Sequence, residues 1–148
     1  MTNRPFDLII YGATSFVGQI LTRYLFEHIH VGDKVNWAIA GRSEKKLAVL
    51  KSSLGSSADA LSVIVADADD ETALATMCQS ARVIASTVGP YALYGEPLVK
   101  ACAENGTDYC DLCGEAYWIK AMILKYSDSA KASGARIVSC CGFDSIPS

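Results

Sequence analysis

The sequence predicts an α/β fold: a doubly wound, parallel, six-stranded sheet in the order 3-2-1-4-5-6 with helices on both faces. Three observations carry this expectation. Short apolar segments alternate with longer amphipathic ones along all 148 residues. A glycine-containing turn directly follows the first apolar segment. The apolar segments number six, which completes a Rossmann-type domain with nothing left over.

The elements follow in order. Phe6–Tyr11 (FDLIIY) reads as a strand buried on both faces, and Phe16–His28 as a helix with Val17, Ile20, Leu21, Tyr24 and Leu25 at helical spacing. Val35–Ala40 is a second strand. Glu44–Leu54 is a helix with Leu47, Leu50 and Leu54 on one face and Gly55 as its stop. Leu61–Ala66 is a third strand. The helix over Asp70–Ser80 opens on Asp69, Asp70 and Glu71, which suit the positive end of its dipole. Arg82–Ser86 is the fourth strand, Glu96–Asn105 a helix, Thr107–Asp111 the fifth strand, Tyr117–Ser133 a helix in one piece or two closed by Gly134, and Arg136–Cys141 the sixth strand. The closing GFDSIPS reads as a strand-to-helix turn cut mid-element. The expectation is therefore one nucleotide-binding domain over residues 1–148, the N-terminal part of a longer protein.

Composition narrows the function classes. The chain is 51% apolar and 20% charged with a net charge of −3, and its 13 basic residues are scattered. That profile fits an ordered core and argues against nucleic acid or an anionic membrane surface as partner. The longest apolar runs are too short for a signal peptide or a transmembrane segment, so the chain is expected to be soluble and cytoplasmic, with peripheral membrane association open to the full-length protein. Six cysteines without a secretory signal read as buried small hydrophobes.

The first turn carries the chemistry. Gly12-Ala13-Thr14-Ser15-Phe16-Val17-Gly18 is a G-x-x-x-x-x-G frame, with Ser15 where a G-x-x-G-x-x-G turn has its middle glycine. Gly12 permits the tight turn and Gly18 lets the helix pack on the strand. The helix N-terminus then offers free amides and a positive dipole end to a pyrophosphate. Ser15 puts a side chain at the closest approach, where its hydroxyl can donate to phosphate or cap the helix.

The second strand ends in Ala40-Gly41-Arg42-Ser43, with no acid before Glu44. An acid there would hold the ribose 2′-hydroxyl of NAD; a guanidinium can instead hold a 2′-phosphate bidentately. The expected cofactor is NADP, with Ser43 as a further donor. Asp67, after the third strand, is a candidate for the adenine amine or a helix cap. After the fourth strand, the Val88-Gly89-Pro90-Tyr91 turn is expected to approach the cofactor, with Tyr91 or Tyr94 covering the nicotinamide ring. Asp111, Glu115 and Asp144 are candidates for substrate or cofactor contacts, or caps on the helices that follow them. Cys110 and Cys113 form a lone C-x-x-C without the further ligands that zinc needs, so no metal is expected. No catalytic residue is assigned. The Y-x-x-x-K and G-x-S-x-G arrangements are absent from the sequence.

The blocks IIYGATSFVG, AGRSEKKL, STVGPYALYGEPLVKAC, YCDLCGE and CCGFDSIPS together resemble the saccharopine dehydrogenase-like oxidoreductases, in particular the branch that includes trans-acting enoyl reductases. The resemblance covers essentially the whole chain. It implies NADP binding through Gly12, Thr14, Ser15, Phe16, Gly18, Arg42 and the Gly89-Pro90-Tyr91 turn. It also implies a second α/β domain that holds a small-molecule substrate, lipid-linked enoyl or amino-acid derived, and forms homodimer contacts. An exposed apolar face should mark where that domain docks. The implied reaction is hydride transfer between NADPH and a C=C or C=N group. The competing reading is a non-catalytic NADP-binding regulator or scaffold.

Overall fold

A computed structural model describes residues 3–142. Phe143, Asp144 and Ser145, the last part of the expected sixth-strand turn, lie outside the described residues. The strands are β1 (Phe6–Tyr11), β2 (Trp37–Gly41), β3 (Ser62–Val65), β4 (Ala81–Ser86), β5 (Asp108–Asp111) and β6 (Ile137–Val138). The helices are α1 (Phe16–His28), α2 (Glu44–Ser53), α3 (Glu71–Gln79), α4 (Tyr91–Tyr94), α5 (Glu96–Asn105) and α6 (Ala116–Ser133), with a 3-10 turn at Ser56–Ala58.

All neighbouring strands pair in parallel in the order β3-β2-β1-β4-β5-β6, the predicted topology. Central strands read as continuous apolar runs because each face of a parallel sheet meets helices. One core holds Ile9, Ile84 and Tyr109 against α3, α5 and α6. The other holds Ile10, Trp37 and Ile39 with Leu47 and Leu50 of α2 and Leu21 and Leu25 of α1. Burying each such side chain contributes about 1.5–3 kcal/mol.

Three elements depart from expectation. Tyr91–Tyr94 forms the short helix α4, hidden from a periodicity reading because a single turn has no period. The sixth strand spans only two residues rather than Arg136–Cys141, because Cys140 takes a left-handed backbone (φ 63°) and turns out of the ladder. The Tyr117–Ser133 helix starts at Ala116 and is one unbroken element.

At the amino edge of the sheet, the Arg4 guanidinium donates to the carbonyls of Cys78 (3.3 Å), Ala81 (2.7 Å) and Asn105 (2.5 Å) and to the Thr107 hydroxyl (2.7 Å). One side chain thereby fastens the segment before β1 to the ends of α3 and α5 and the starts of β4 and β5. A recess of about 650 Å³ beside it is lined by Arg4, Gln79, Glu104, Asn105, Gly106 and Ser133. Ligands of doubly wound sheets bind at the opposite, carboxyl edge, and the candidate site lies there.

Candidate functional site

The order of the sheet reverses between β1 and β4, and the Gly12–Gly18 turn sits at that switch point. Gly12 and Ala13 donate their amides to the Ala40 carbonyl (3.0 and 3.1 Å), which fixes the turn to the end of β2. Gly12 has φ +82°, and a Cβ on it would lie 2.6 Å from Val88 Cγ2 and 2.8 Å from Thr87 Oγ1. A Cβ on Gly18 would lie 2.1 Å from the Gly12 carbonyl oxygen. Both glycines are thus demanded by close approach, as the frame predicts.

Ser15 is the N-cap of α1: it has extended backbone, and its hydroxyl accepts from the Gly18 amide at 3.0 Å. The same oxygen lies 3.0 Å from Thr87 Oγ1, which in turn lies 2.8 Å from the Gly12 carbonyl and 3.2 Å from that of Tyr11. Since Thr87 has one proton for the carbonyls, Ser15 directs its own at Thr87. Ser15 is therefore engaged on both sides, as cap and as brace. The amides of Phe16 and Val17 lie in the first helical turn and have no intrahelical acceptor, so they remain for an anion. The Phe16 side chain is 82% exposed at this mouth, and Val17 is exposed beside it. Thr14 is half-buried, and its carbonyl accepts from Gln19 Nε2 at 3.0 Å.

Thr87 is the functional residue that sequence reasoning missed. Its only signal is a hydroxyl at the end of β4, and its partners lie about 75 positions away.

At the end of β2, Gly41 is buried and Arg42 exposed. Ser43 caps α2 by accepting from the Lys46 amide at 3.2 Å, and keeps its own proton to donate. Asp67 accepts from the Asp69 amide at 3.2 Å, which closes a turn ahead of α3; the expected cap role falls instead to Asp70, whose carboxylate accepts from the Ala73 amide at 2.9 Å. Tyr11 connects these groups. It is buried, its hydroxyl donates to the Ala66 carbonyl at 3.2 Å, and burial, then the charge of Asp67, raises its pKa, while Arg42 lowers it. The charges of Arg42, Asp67 and Asp69 thus all act on one phenol, at the end of β1.

On the other side, Val88 is half-buried and packs over Gly12, while Gly89 and Pro90 are exposed and joined by a cis peptide. The Tyr91 ring does not cover the cleft. It is buried, packs against Trp118 with centroids 5.6 Å apart, and donates its hydroxyl to the Ser86 carbonyl at 3.1 Å. Tyr94 is 43% exposed. Glu115 caps the preceding α4 rather than the following α6: its carboxylate accepts from the amides of Tyr91 (2.6 Å) and Ala92 (3.1 Å). Asp111 is buried and accepts from Tyr109 (2.5 Å) and from the amides of Cys113 (3.0 Å) and Cys140 (2.9 Å), which joins β5 to the end of β6. Both acids are structural here, because their oxygens are filled by protein donors. Burial pushes the Cys113 thiol up to about 11 and raises Cys110, so neither is a ready thiolate. Among the described residues, no group of three or more His, Cys, Asp or Glu side chains could hold a metal ion.

The family model described as the saccharopine dehydrogenase NADP binding domain matches residues 8–138. The chain belongs to this family. Among curated proteins, the chain is 45% identical over 147 residues to a protein named putative trans-acting enoyl reductase Rv2449c from Mycobacterium tuberculosis, covering 99% of this chain and 34% of the relative. It is 45% identical over 145 residues to the trans-acting enoyl reductase of Mycobacterium bovis, covering 98% of the chain and 34% of that protein. A lipid droplet localized protein of Caenorhabditis elegans is 43% identical over 146 residues, 96% of this chain and 34% of the relative. The chain spans about a third of the length of these relatives. Apo saccharopine dehydrogenase (L-Glu forming) from Saccharomyces cerevisiae superposes with a TM-score of 0.64 at 16% identity, over 94% of this chain and 28% of the other. A short-chain type dehydrogenase/reductase from Mycobacterium ulcerans gives 0.63 at 14%, over 94% and 67%. These two establish the Rossmann-type fold of this family member. Among the described residues, no helix is long and apolar enough to cross a membrane.

Proposed function

We propose that this chain is the cofactor-binding half of an NADP-dependent oxidoreductase that transfers hydride to or from a C=C (enoyl) or C=N group. The observation that carries the reading is the Gly12–Gly18 turn at the switch point, closed so tightly that neither glycine can bear a Cβ, with Arg42 and no acid at the end of β2. The residues fit the cofactor. The Phe16 and Val17 amides and the α1 dipole would hold the pyrophosphate. Arg42 would grip the 2′-phosphate, with Ser43 as second donor. Asp67 stands at the adenosine side, and the backbone of Val88, Gly89 and Pro90 borders the nicotinamide side. Bound NADP(H) supplies the hydride chemistry; this chain's part is to position it.

In this proposal a second domain, encoded beyond the matched region, holds the substrate and forms the homodimer. The enoyl reductase relatives support a small-molecule substrate with an enoyl double bond; in this proposal it is lipid-linked or amino-acid derived. The lipid droplet relative supports a cytoplasmic protein that meets lipid surfaces peripherally.

Calorimetric titration of the protein with NADPH and NADH, beside Arg42→Ala, tests the reading. NADPH is expected to bind more tightly, and Arg42→Ala to weaken it by roughly 10- to 100-fold while sparing NADH, the loss of one charged bidentate contact. Failure of the intact protein to bind either nucleotide overturns the proposal. Tight NADPH binding without turnover on any enoyl or imine acceptor would favour the regulator reading.

A further inference from the structure

On the α1 side of the sheet, one row of laterally adjacent residues runs from β2 to β6: Ile39, Ile10, Ala85, Cys110 and Val138. Residues paired in register share a face. Ile39 and Ile10 are completely covered, Ala85 and Cys110 are half-buried, and Val138 is 51% exposed. The adjacent row on the opposite face, Ala38, Ile9, Ile84, Tyr109 and Ile137, stays buried through Tyr109, and Ile137 packs on the core.

The cause is topological. Right-handed crossovers put α1 and α2 on one face and α3, α5 and α6 on the other, so among the described residues β4, β5 and β6 carry helices on one side only. A parallel sheet of this class is covered on both faces. The bare half is nonetheless apolar, with Val83 beside the row just described; its charged members, Asp108 and Arg136, lie at the amino edge and pair with each other.

We propose that this half-face is the berth of one amphipathic helix, supplied by the part of the same protein that lies beyond the region described here. The relatives have about three times the length matched by this chain, so polypeptide to supply such a helix exists in them. The last described strand, β6, forms the rim of the berth. Small side chains on the floor, Ala85 and Cys110, let a helix backbone approach closely. The outer faces of α1 and α6 expose Ile20, Tyr24, Ile123 and Leu124, so a second copy is the competing occupant, and its cover would be lost on dilution. The inference rests on the greater length of the relatives and not on the cofactor.

Val65 is a matched control. It is 48% exposed, on the same face, at the opposite edge strand. In the intact protein without nucleotide, Val138→Cys is expected to react with a small maleimide about tenfold more slowly than Val65→Cys, read peptide by peptide by mass spectrometry. Val138→Lys is expected to lower Tm by several degrees more than Val65→Lys. Equal labelling rates overturn the proposal. So does protection that disappears on dilution, which would assign the cover to a second copy. If Val138→Lys does not fold, the labelling comparison alone decides. Because no nucleotide is present, a failure of NADPH binding leaves the result unaffected.

Discussion

The hydroxyls of Ser15 and Thr87 stand 3.0 Å apart across the switch point of the sheet. This contact explains how a serine occupies the place of the middle glycine. Its hydroxyl caps α1 through Gly18 and leans on Thr87, which is anchored on the Gly12 carbonyl.

The pair should behave as a unit. Ser15→Ala is expected to cost about 1 kcal/mol, the usual loss of an N-cap, and Thr87→Val a similar amount for its lost hydrogen bonds. The double variant should lose clearly less than the sum, since the two share one bond. Thermal unfolding followed by circular dichroism measures all three, and strict additivity would contradict the coupling.

The glycines should separate by space. Gly18→Ala forces a methyl to 2.1 Å from a carbonyl oxygen and is expected to cost more than about 3 kcal/mol or abolish folding. Gly41→Ala places its methyl 3.7 Å from Leu47 Cδ2, an ordinary contact, and should shift stability by less than about 1 kcal/mol. Denaturant midpoints of the two variants test this ordering.

Glu115→Gln should loosen α4. The carboxylate accepts from two amides, and an amide side chain retains one acceptor oxygen for them. Hydrogen exchange at Tyr91 and Ala92 is expected to quicken by about tenfold, with exchange in β1 unchanged.

Acid should act partly through Asp108 and Glu96. Hydrogen bonds from Arg136 lower the pKa of Asp108, and those from Lys125 and Tyr126 lower that of Glu96. A depressed carboxylate stabilises the fold fully above its unfolded-state pKa, roughly 4. That contribution is lost as pH falls through the lower folded-state value. Asp108→Asn should therefore flatten the fall in Tm below about pH 4 while leaving the slope near neutrality unchanged. An unaltered acid limb would count against it.

Sequence carried the topology well, because alternating periodicities and a glycine turn are local signals that a parallel sheet obeys element by element. The close-packed Gly12–Gly18 turn was legible for the same reason. What escaped was non-local or too short to be periodic. Thr87 acts on residues about 75 positions away. Tyr91 was expected at the nicotinamide ring, yet its apolar bulk and its hydroxyl both find partners in the interior. Glu115 caps a helix behind it in the chain. The early end of β6 comes from the left-handed backbone of Cys140, whose amide donates a hydrogen bond to the Asp111 carboxylate that no sequence pattern marks.

The guanidinium of Arg4 also has a temporal meaning. During synthesis it leaves the ribosome well ahead of its acceptors at Cys78, Ala81, Asn105 and Thr107, which lie 74 to 103 positions further along the chain. At about 5–20 residues per second, the amino-terminal segment waits several seconds or more before its anchor exists. The nascent chain can assemble β1, β2 and β3 in that interval, but it can fasten its own beginning only after β4 has emerged and β5 has started to follow.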